Sequence, residues 1–227
     1  MPTVLITGAN RGLGLEFAKQ YAERGWRVLA TCRDVERADV LASIKGQVDI
    51  YELDITDHDQ IKNLAKQLSK ESIDLLLNNA GVYGPRPSKL GGVDYESWQE
   101  VVYTNTMSPL KVCESFRPHV ASSNLKKIAV LSSKMGSISD NQSGSSYVYR
   151  SSKAALNAVM KSLSVDLAGH GISVVILHPG WVRTDMGGPG GLINPSESVG
   201  GLSKVIDNLN MENSGRFYNY DGKEILW

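Results

Sequence analysis

The sequence predicts an α/β fold in which a seven-stranded, mostly parallel, doubly wound sheet carries helices on both faces. Short apolar runs rich in β-branched residues alternate with longer segments whose apolar residues recur every three or four positions. The alternation covers nearly the whole chain of 227 residues and is typical of repeated strand–helix–strand units around a parallel sheet. Because the composition does not shift along the chain, we expect a single domain over residues 1–227.

The apolar runs and the periodic segments place each element in turn. Seven runs have the length and composition of buried strands: residues 3–7, 27–31, 48–53, 73–78, 127–132, 173–178 and 216–220. Six segments have helical periodicity: residues 12–24, 36–44, 57–69, 95–120, 149–169 and 196–210. Residues 81–94 and 186–195 are rich in glycine and proline and follow the fourth and sixth strands. We expect these two stretches to be loops at the carboxyl edge of the sheet, where such sheets bind ligands.

Charge and composition argue against several classes of function. Lysine plus arginine equals aspartate plus glutamate, at 24 each, so we expect neither nucleic acid nor a membrane as a partner. The expected partner is a small molecule. No apolar run reaches the length of a membrane span, and no secretory signal precedes the first strand, so we expect a cytoplasmic protein. Cys32 and Cys113 provide no disulfide framework, and the four histidines lack metal-ligand spacing, so no metal site is expected.

A glycine-rich stretch, TGANRGLG at residues 7–14, lies between the first strand and the first helix. Gly8, Gly12 and Gly14 have the spacing GxxxGxG, whereas the common dinucleotide fingerprint is GxGxxG. A strand that leads directly into a helix presents unpaired backbone amides, and missing side chains let a pyrophosphate approach them. In a series of strand–helix–strand units this predicts a Rossmann-like dinucleotide site. The alternative is a turn in which the glycines supply backbone freedom alone.

The end of the second strand indicates which dinucleotide binds. The chain reads ATCRD at residues 30–34, so Arg33 stands where an acidic residue would bind the 2′-hydroxyl of NAD. Arg33, together with Arg11 in the glycine-rich stretch, suits a 2′-phosphate by charge and geometry. NADP(H) is therefore favoured over NAD(H). Two alternatives stay open: both arginines as solvated surface charges, and NAD(H) as the cofactor because of the nearby Asp34.

Tyr149 and Lys153 form a pair of side chains that indicates acid–base chemistry. Residues four apart on a helix share one face, so a phenol and an ammonium would point into one site. A neighbouring cation favours phenolate, and we therefore expect the pKa of Tyr149 to lie below its ordinary value of about 10. Tyr147 is a competing phenol, but Ser151 stands four residues beyond it and offers no cation. The pattern predicts Tyr149 as a general acid for carbonyl reduction.

Several motifs in order resemble those of the short-chain dehydrogenase/reductase family. They are the glycine-rich stretch, NNAG at 78–81, Asn105, the serine pair at 132–133, Tyr149 with Lys153, and HPGWVRT at 178–184. The resemblance runs from Thr3 to the carboxyl end. Within the family, the segment 149–157 is similar to the sniffer-type and C-factor-like carbonyl reductases.

The resemblance implies a role for individual residues. The catalytic set it implies is Asn105, Ser133, Tyr149 and Lys153, with Ser133 chosen over Ser132 because the family places the catalytic hydroxyl second in the pair. In that set Tyr149 donates the proton, Ser133 binds the substrate oxygen, Lys153 holds the nicotinamide ribose and Asn105 positions a relay water. The implied cofactor-binding residues are Gly8, Asn10, Arg11, Gly12, Leu13, Gly14, Arg33, Asp54, Ile55, Asn79, Ala80, Gly81, Tyr149, Lys153, Pro179, Gly180, Val182 and Thr184.

Two functional hypotheses follow. The first is an NADP(H)-dependent oxidoreductase that reduces small or medium aldehydes and ketones and runs in reverse as an alcohol oxidation. The second is a dinucleotide-binding sensor or a C-factor-like signalling protein with little turnover, because a binder can retain the catalytic residues. Tyr83 and Trp181 are aromatic candidates for the substrate pocket. The family's habit of pairing subunits through long helices predicts a homodimer.

Overall fold

The structure is a computed structural model that describes residues 1–36, 38–86 and 89–227. These residues form seven strands, which are β1 (Thr3–Ile6), β2 (Arg27–Cys32), β3 (Val48–Glu52), β4 (Leu75–Asn78), β5 (Lys127–Leu131), β6 (Ser173–His178) and β7 (Arg216–Asn219). They make one sheet in the order β3-β2-β1-β4-β5-β6-β7, and every pairing of neighbouring strands is parallel. The predicted α/β fold is confirmed, and the sheet is fully parallel where a mostly parallel one was expected.

Helices cover both faces of the sheet. The α-helices in the described residues are α1 (Gly12–Glu23), α2 (Asp39–Ala42), α3 (His58–Gln67), α4 (Tyr95–Val102), α5 (Ser108–Ala121), α6 (Tyr147–Asp166) and α7 (Pro195–Asp207). Apolar side chains of α3, α5 and α6 form one core with the sheet, and those of α1, α2 and α7 form a second core on the other face. Strand β1 contributes to both, because Val4 and Ile6 point into one core and Leu5 into the other. Burial on both faces explains the nearly continuous apolar runs.

The prediction of one continuous helix over residues 95–120 was wrong. The chain forms α4, then a π-helical turn at Tyr103–Met107, and then α5. Pro109 supplies a physical reason, because it has no N–H to donate to the carbonyl of Asn105 four residues earlier. The Ser108 hydroxyl instead donates to the Tyr103 carbonyl at 3.0 Å. This wider turn is where Asn105 lies.

Two other helix predictions need smaller corrections. The helix predicted over 149–169 begins two residues earlier, at Tyr147, and ends at Asp166, after which a 3₁₀ turn occupies Ala168–His170. The helix predicted over 36–44 is confined to Asp39–Ala42, and residue 37 lies outside the described part of the chain. Gly171 follows the 3₁₀ turn at Ala168–His170 and has φ +69°, a left-handed conformation that suits glycine.

The strand order determines where a ligand can bind. Strand β1 is flanked by β2 on one side and β4 on the other, so the direction of chain crossing reverses between β1 and β4. In open parallel sheets a crevice forms at this reversal, outside the carboxyl ends of the strands. The predicted loop over 186–195 and the described part of the loop over 81–94 begin at this edge; residues 87–88 lie outside the described range. Among the residues that the structure covers, no helix is both long and apolar enough to cross a bilayer.

Candidate active site

The turn between β1 and α1 is bonded closely to the end of β4. The Asn79 side-chain amide donates to the carbonyls of Thr7 at 2.8 Å and Gly8 at 3.0 Å. The Thr7 hydroxyl in turn accepts the backbone N–H groups of Asn79 at 3.0 Å and Ala80 at 3.1 Å. These four bonds hold the glycine turn against the NNAG segment, so two of the predicted motifs meet at the crevice.

Glycine is required at two positions of this turn by close approach. A Cβ on Gly14 would collide with the Gly8 carbonyl oxygen and lie 2.6 Å from the Asn79 side-chain nitrogen. Gly8 has φ +66°, and a Cβ there would lie 3.1 Å from the Cβ of Ala80. No side chain caps the amino end of α1 at Arg11. The turn thus leaves first-turn amides and a side-chain-free surface at the edge of the sheet, which fits a pyrophosphate.

Arg33 and Arg11 lie at the same edge. The backbone N–H of Ala9 donates to the Thr31 carbonyl at 2.8 Å, so the end of β2 adjoins the glycine turn, and Arg33 follows β2 with an exposed side chain. Arg11 is 68% exposed and lies 3.6 Å from the Asp185 carboxylate. Both guanidinium groups are therefore accessible to an anion at the edge that carries the glycine turn.

The loop after β6 folds back toward the glycine turn. The Ser198 hydroxyl donates to the Pro179 carbonyl at 2.6 Å, Gly180 has φ +82°, and Val182 forms a short bridge with Ile193. Thr184 comes so close to the amino end of α1 that a Cβ on Gly12 would lie 3.7 Å from its methyl group. The HPGWVRT segment therefore closes one side of the crevice.

Two of the predicted cofactor-binding residues, Asp54 and Ile55, follow β3. One carboxylate oxygen of Asp54 accepts the Thr56 backbone N–H at 2.9 Å and the Thr56 hydroxyl at 2.7 Å. The Ile55 side chain is buried in the core that α3, α5 and α6 share. Asp54 is thus oriented by its own turn, and Ile55 anchors that turn.

Tyr149 lies on the first turn of α6 and is 8% exposed, whereas Tyr147 is 38% exposed. Burial raises the pKa of Tyr149 to about 12, and a hydrogen bond with the Ser133 side chain and the positive charge of Arg86 lower it by less. The expectation of a pKa below the ordinary tyrosine value is therefore wrong in this structure. The physical reason is that desolvation of the phenolate outweighs the nearby favourable groups.

Lys153 is close to Tyr149, as the helical spacing predicts. Its ammonium nitrogen is 5.9 Å from the centre of the Tyr149 ring and donates to the Leu131 carbonyl at 2.9 Å. Burial lowers the pKa of Lys153 from 10.5 to about 8. The ammonium also borders the segment after β4, since a Cβ on Gly81 would lie 3.6 Å from it. A buried cation thus joins the ends of β4 and β5 to α6.

The two adjacent serines after β5 have different surroundings. The Ser132 hydroxyl donates to the Asn157 side-chain oxygen at 2.5 Å, inside the protein. The Ser133 hydroxyl accepts the Met135 backbone N–H at 3.2 Å and lies near enough to Tyr149 to lower the pKa of its phenol. Ser133 is therefore the serine that faces the phenol.

Asn105, in the π-helical turn, holds the segment that follows β4. Its side-chain oxygen accepts the Val82 N–H at 2.9 Å, and its side-chain nitrogen donates to the Val82 carbonyl at 2.8 Å and to the Ser152 hydroxyl at 3.0 Å. Asn105 is fully buried. The amide thereby connects the segment after β4 to α6, next to Lys153.

Sequence reasoning missed one residue at this site. Arg86 lies over the ring of Tyr83, which is itself stacked on Tyr149. Tyr83 was a predicted pocket residue, but Arg86 offered no signal beyond its place in the loop 81–94. Trp181, the other aromatic candidate, lies at the same edge with 54% of its surface exposed and donates from its indole N–H to the Gly187 carbonyl at 2.8 Å.

A buried phenol, a hydroxyl and an ammonium at the carboxyl edge of a doubly wound parallel sheet define the class of protein, an oxidoreductase of the dinucleotide-dependent type. The family model for short chain dehydrogenase matches residues 2–190, and the chain belongs to that family.

Similar proteins agree with the family and with the subgroup. The C-signal protein of Myxococcus xanthus is 45% identical over 155 residues, which are 68% of this chain and 93% of that protein. The carbonyl reductase Sniffer of D. melanogaster has a TM-score of 0.92 at 35% identity, covering 100% of both chains. The NADPH-bound carbonyl reductase from chicken fatty liver has a TM-score of 0.92 at 38% identity, covering 100% of this chain and 99% of that one. The resemblance to sniffer-type and C-factor-like carbonyl reductases is confirmed.

Proposed function

We propose that this protein is an NADPH-dependent reductase that converts small or medium aldehydes and ketones to alcohols and also catalyses the reverse oxidation. The observation that carries the proposal is the buried Tyr149 phenol, which lies beside Ser133 and has the Lys153 ammonium 5.9 Å from its ring centre. The likeness over the whole chain to a carbonyl reductase with bound NADPH supports it.

The residues around the crevice fit a bound dinucleotide. The glycine turn would receive the pyrophosphate at the amino end of α1, because a side chain at Gly8 or Gly14 would fill that space. Arg33 and Arg11 would pair with a 2′-phosphate, and Asp54 and Ala80 would flank the adenosine. Val182 and Thr184, in the segment 178–184, would meet the carboxamide. When bound, NADPH supplies the hydride for the carbonyl carbon.

Tyr149 supplies the proton that completes the reduction. With a pKa of about 12, the phenol stays protonated at neutral pH and remains available as a donor. The alkoxide that develops on the substrate is a stronger base than phenolate, so the proton passes to it. Ser133 donates a hydrogen bond to the same substrate oxygen and stabilises its growing negative charge.

Lys153 and Asn105 organise the site around that proton transfer. The buried ammonium of Lys153 would hold the nicotinamide ribose and favour the phenolate that remains on Tyr149 after it gives up its proton. Asn105 keeps the backbone of Val82 in place and, by the family resemblance, positions a relay water.

The assembly of two chains into a homodimer stays a prediction.

Arg33 is expected to determine the preference between the two cofactors. Replacing it by alanine removes the cation that would pair with the 2′-phosphate of NADPH. NADH has no 2′-phosphate, so its binding does not depend on this cation. Arg33→Ala should therefore raise the KM for NADPH roughly tenfold and leave the KM for NADH within about twofold. Steady-state kinetics with both cofactors measures this. Arg216→Ala, an exposed arginine on β7, is the matched control, and an equal loss with both cofactors would contradict the assignment.

The proposed function is tested by NADPH oxidation. The purified chain is incubated with NADPH and a panel of aliphatic and aromatic aldehydes and ketones, and the loss of NADPH absorbance is followed. We expect turnover with several members of the panel. NADPH binding without turnover on any of them would reject the reductase.

A second candidate function is a dinucleotide-dependent signalling protein. The observation that favours it is the 45% identity to the C-signal protein over 93% of that protein's length. Binding of NADPH in a fluorescence titration, together with no carbonyl turnover, would support this candidate over the reductase.

A further inference from the structure

Three side chains form a layered stack over the proposed acid. The rings of Tyr83 and Tyr149 lie with their centres 4.3 Å apart and their planes at 21°. The guanidinium carbon of Arg86 lies 3.9 Å from the centre of the Tyr83 ring. A cation over one ring face and a second ring on the other form a continuous column from the loop after β4 to α6.

The stack is fixed at its middle layer, Tyr83, and at its Arg86 end. The Tyr83 hydroxyl lies 3.3 Å from the Ser146 hydroxyl, just before α6, and 4.0 Å from the sulfur of Met135. Arg86 donates to the Met186 carbonyl at 2.8 Å. One column thus joins the loops after β4 and β6 to the start of α6, and these segments surround Tyr149.

A sharp turn of the backbone brings Arg86 back over Tyr83. Gly84 has φ +82°, a conformation that suits glycine, and a Cβ there would lie 2.8 Å from a methyl of Val101. Pro85 follows and restricts the chain further. The residues between Tyr83 and Arg86 therefore favour the geometry that the stack needs.

We infer that Arg86 and Tyr83 are positioning residues for the reaction: Tyr83 holds the ring of Tyr149, and Arg86 holds Tyr83, places a positive charge near the phenol and ties the two site loops together. This inference rests on the proposed function, since it assigns how the proton donor of that reaction is held. Neither residue transfers a proton or touches the hydride.

The charges around the phenol agree with this assignment. Tyr149 faces Ser133 from the segment after β5, Tyr83 and Arg86 from the loop after β4, and Lys153 from its own helix. Burial raises the pKa of Tyr149, and the positive charge of Arg86 lowers it by a smaller amount. Lys153 donates to the Leu131 carbonyl. Arg86 therefore contributes a cation from outside the Tyr149–Lys153 pair.

Arg86→Gln tests the electrostatic part. With benzaldehyde and NADPH, we expect kcat/KM to fall about tenfold, mainly through kcat. With benzyl alcohol and NADP⁺, the pH at which oxidation sets in should rise by about half a unit, because phenolate forms less readily without the cation. Arg86→Lys should keep most of the wild-type pH profile, since the charge remains. An unchanged profile in Arg86→Gln, or identical profiles in the glutamine and lysine variants, would overturn the inference.

The positioning part has a readout that needs no turnover. Hydrogen–deuterium exchange is measured on wild type, Arg86→Gln, Tyr83→Phe and Tyr83→Leu, each with NADPH. The expected pattern is faster exchange in residues 181–193 of Arg86→Gln and at the start of α6 in Tyr83→Leu. Tyr83→Phe should lie between wild type and Tyr83→Leu, because it keeps the stacked ring and loses the contact with Ser146. Exchange rates equal to those of the wild type in both Arg86→Gln and Tyr83→Leu would overturn the inference. If the wild type turns over no probe, the reductase fails while exchange still decides whether the stack exists.

Discussion

Replacing Tyr149 by phenylalanine is expected to lower kcat for carbonyl reduction roughly a thousandfold while leaving the dissociation constant for NADPH within about threefold. The substitution removes only the phenolic oxygen, so the proposed proton donor is lost and the ring remains. The phenylalanine ring can keep its place against Tyr83, whose centre lies 4.3 Å away. The fold and the glycine turn are not touched. Turnover is measured with NADPH and benzaldehyde, and affinity by NADPH fluorescence.

Tyr147→Phe is the matched control for this experiment. It removes the same oxygen from the same helix at a position that is 38% exposed, and it should leave turnover unchanged. If Tyr149→Phe retained most of its turnover, Tyr149 would not be the acid. If Tyr147→Phe lost turnover instead, the competing phenol would take its place.

Lys153→Met is expected to have two opposite effects, loss of turnover by a hundredfold or more and a gain in stability. Turnover falls because the variant lacks the cation beside Tyr149. Stability should rise because burial in the folded protein disfavours the charged form of Lys153 and lowers its pKa from 10.5 to about 8. The shift corresponds to about 3 kcal/mol at neutral pH, and losing the bond to the Leu131 carbonyl costs about 1 kcal/mol. We expect a net gain of about 2 kcal/mol in the free energy of unfolding.

The pH dependence of that gain has a definite sign. The folded pKa of about 8 lies below the unfolded value, so between about 8 and 10.5 the unfolded wild type binds more protons than the folded protein. The wild-type free energy of unfolding therefore rises with pH across this window, and the advantage of the methionine variant shrinks. Urea unfolding at several pH values measures it. Lys161→Met, an exposed lysine on the same helix, should show no such trend, and a constant difference for Lys153→Met would contradict the assignment.

Five of the seven strands, β1, β2, β4, β5 and β6, were predictable because they are buried on both faces. The predicted bounds differ from the observed ones by at most two residues at either end, since a continuous apolar run leaves little choice of position. The glycine turn was equally readable, because Gly8 and Gly14 meet backbone and side-chain atoms that only a missing Cβ allows. The pairing of Tyr149 with Lys153 followed from helical spacing alone.

The predictions that failed show what periodicity and spacing leave out. A helix over 95–120 has the right periodicity, but Pro109 cannot donate to the Asn105 carbonyl, and the turn at Tyr103–Met107 widens where Asn105 holds Val82, a contact across 23 positions. The pKa of Tyr149 was expected to fall because a cation stands four residues away, yet its burial depends on elements far along the chain. Local spacing shows which groups are neighbours but not how much water they lose.

By itself the sequence determined the order of strands and helices, the glycine turn and the shared face of Tyr149 and Lys153, because each depends on neighbours a few residues apart. The family resemblance chose Ser133 over Ser132. Only the tertiary structure decided that Ser132 is bonded to Asn157 inside the protein, that desolvation raises the pKa of Tyr149, and that Arg86 reaches it through Tyr83. The physical reason is that solvent exclusion and stacking depend on which surfaces pack together.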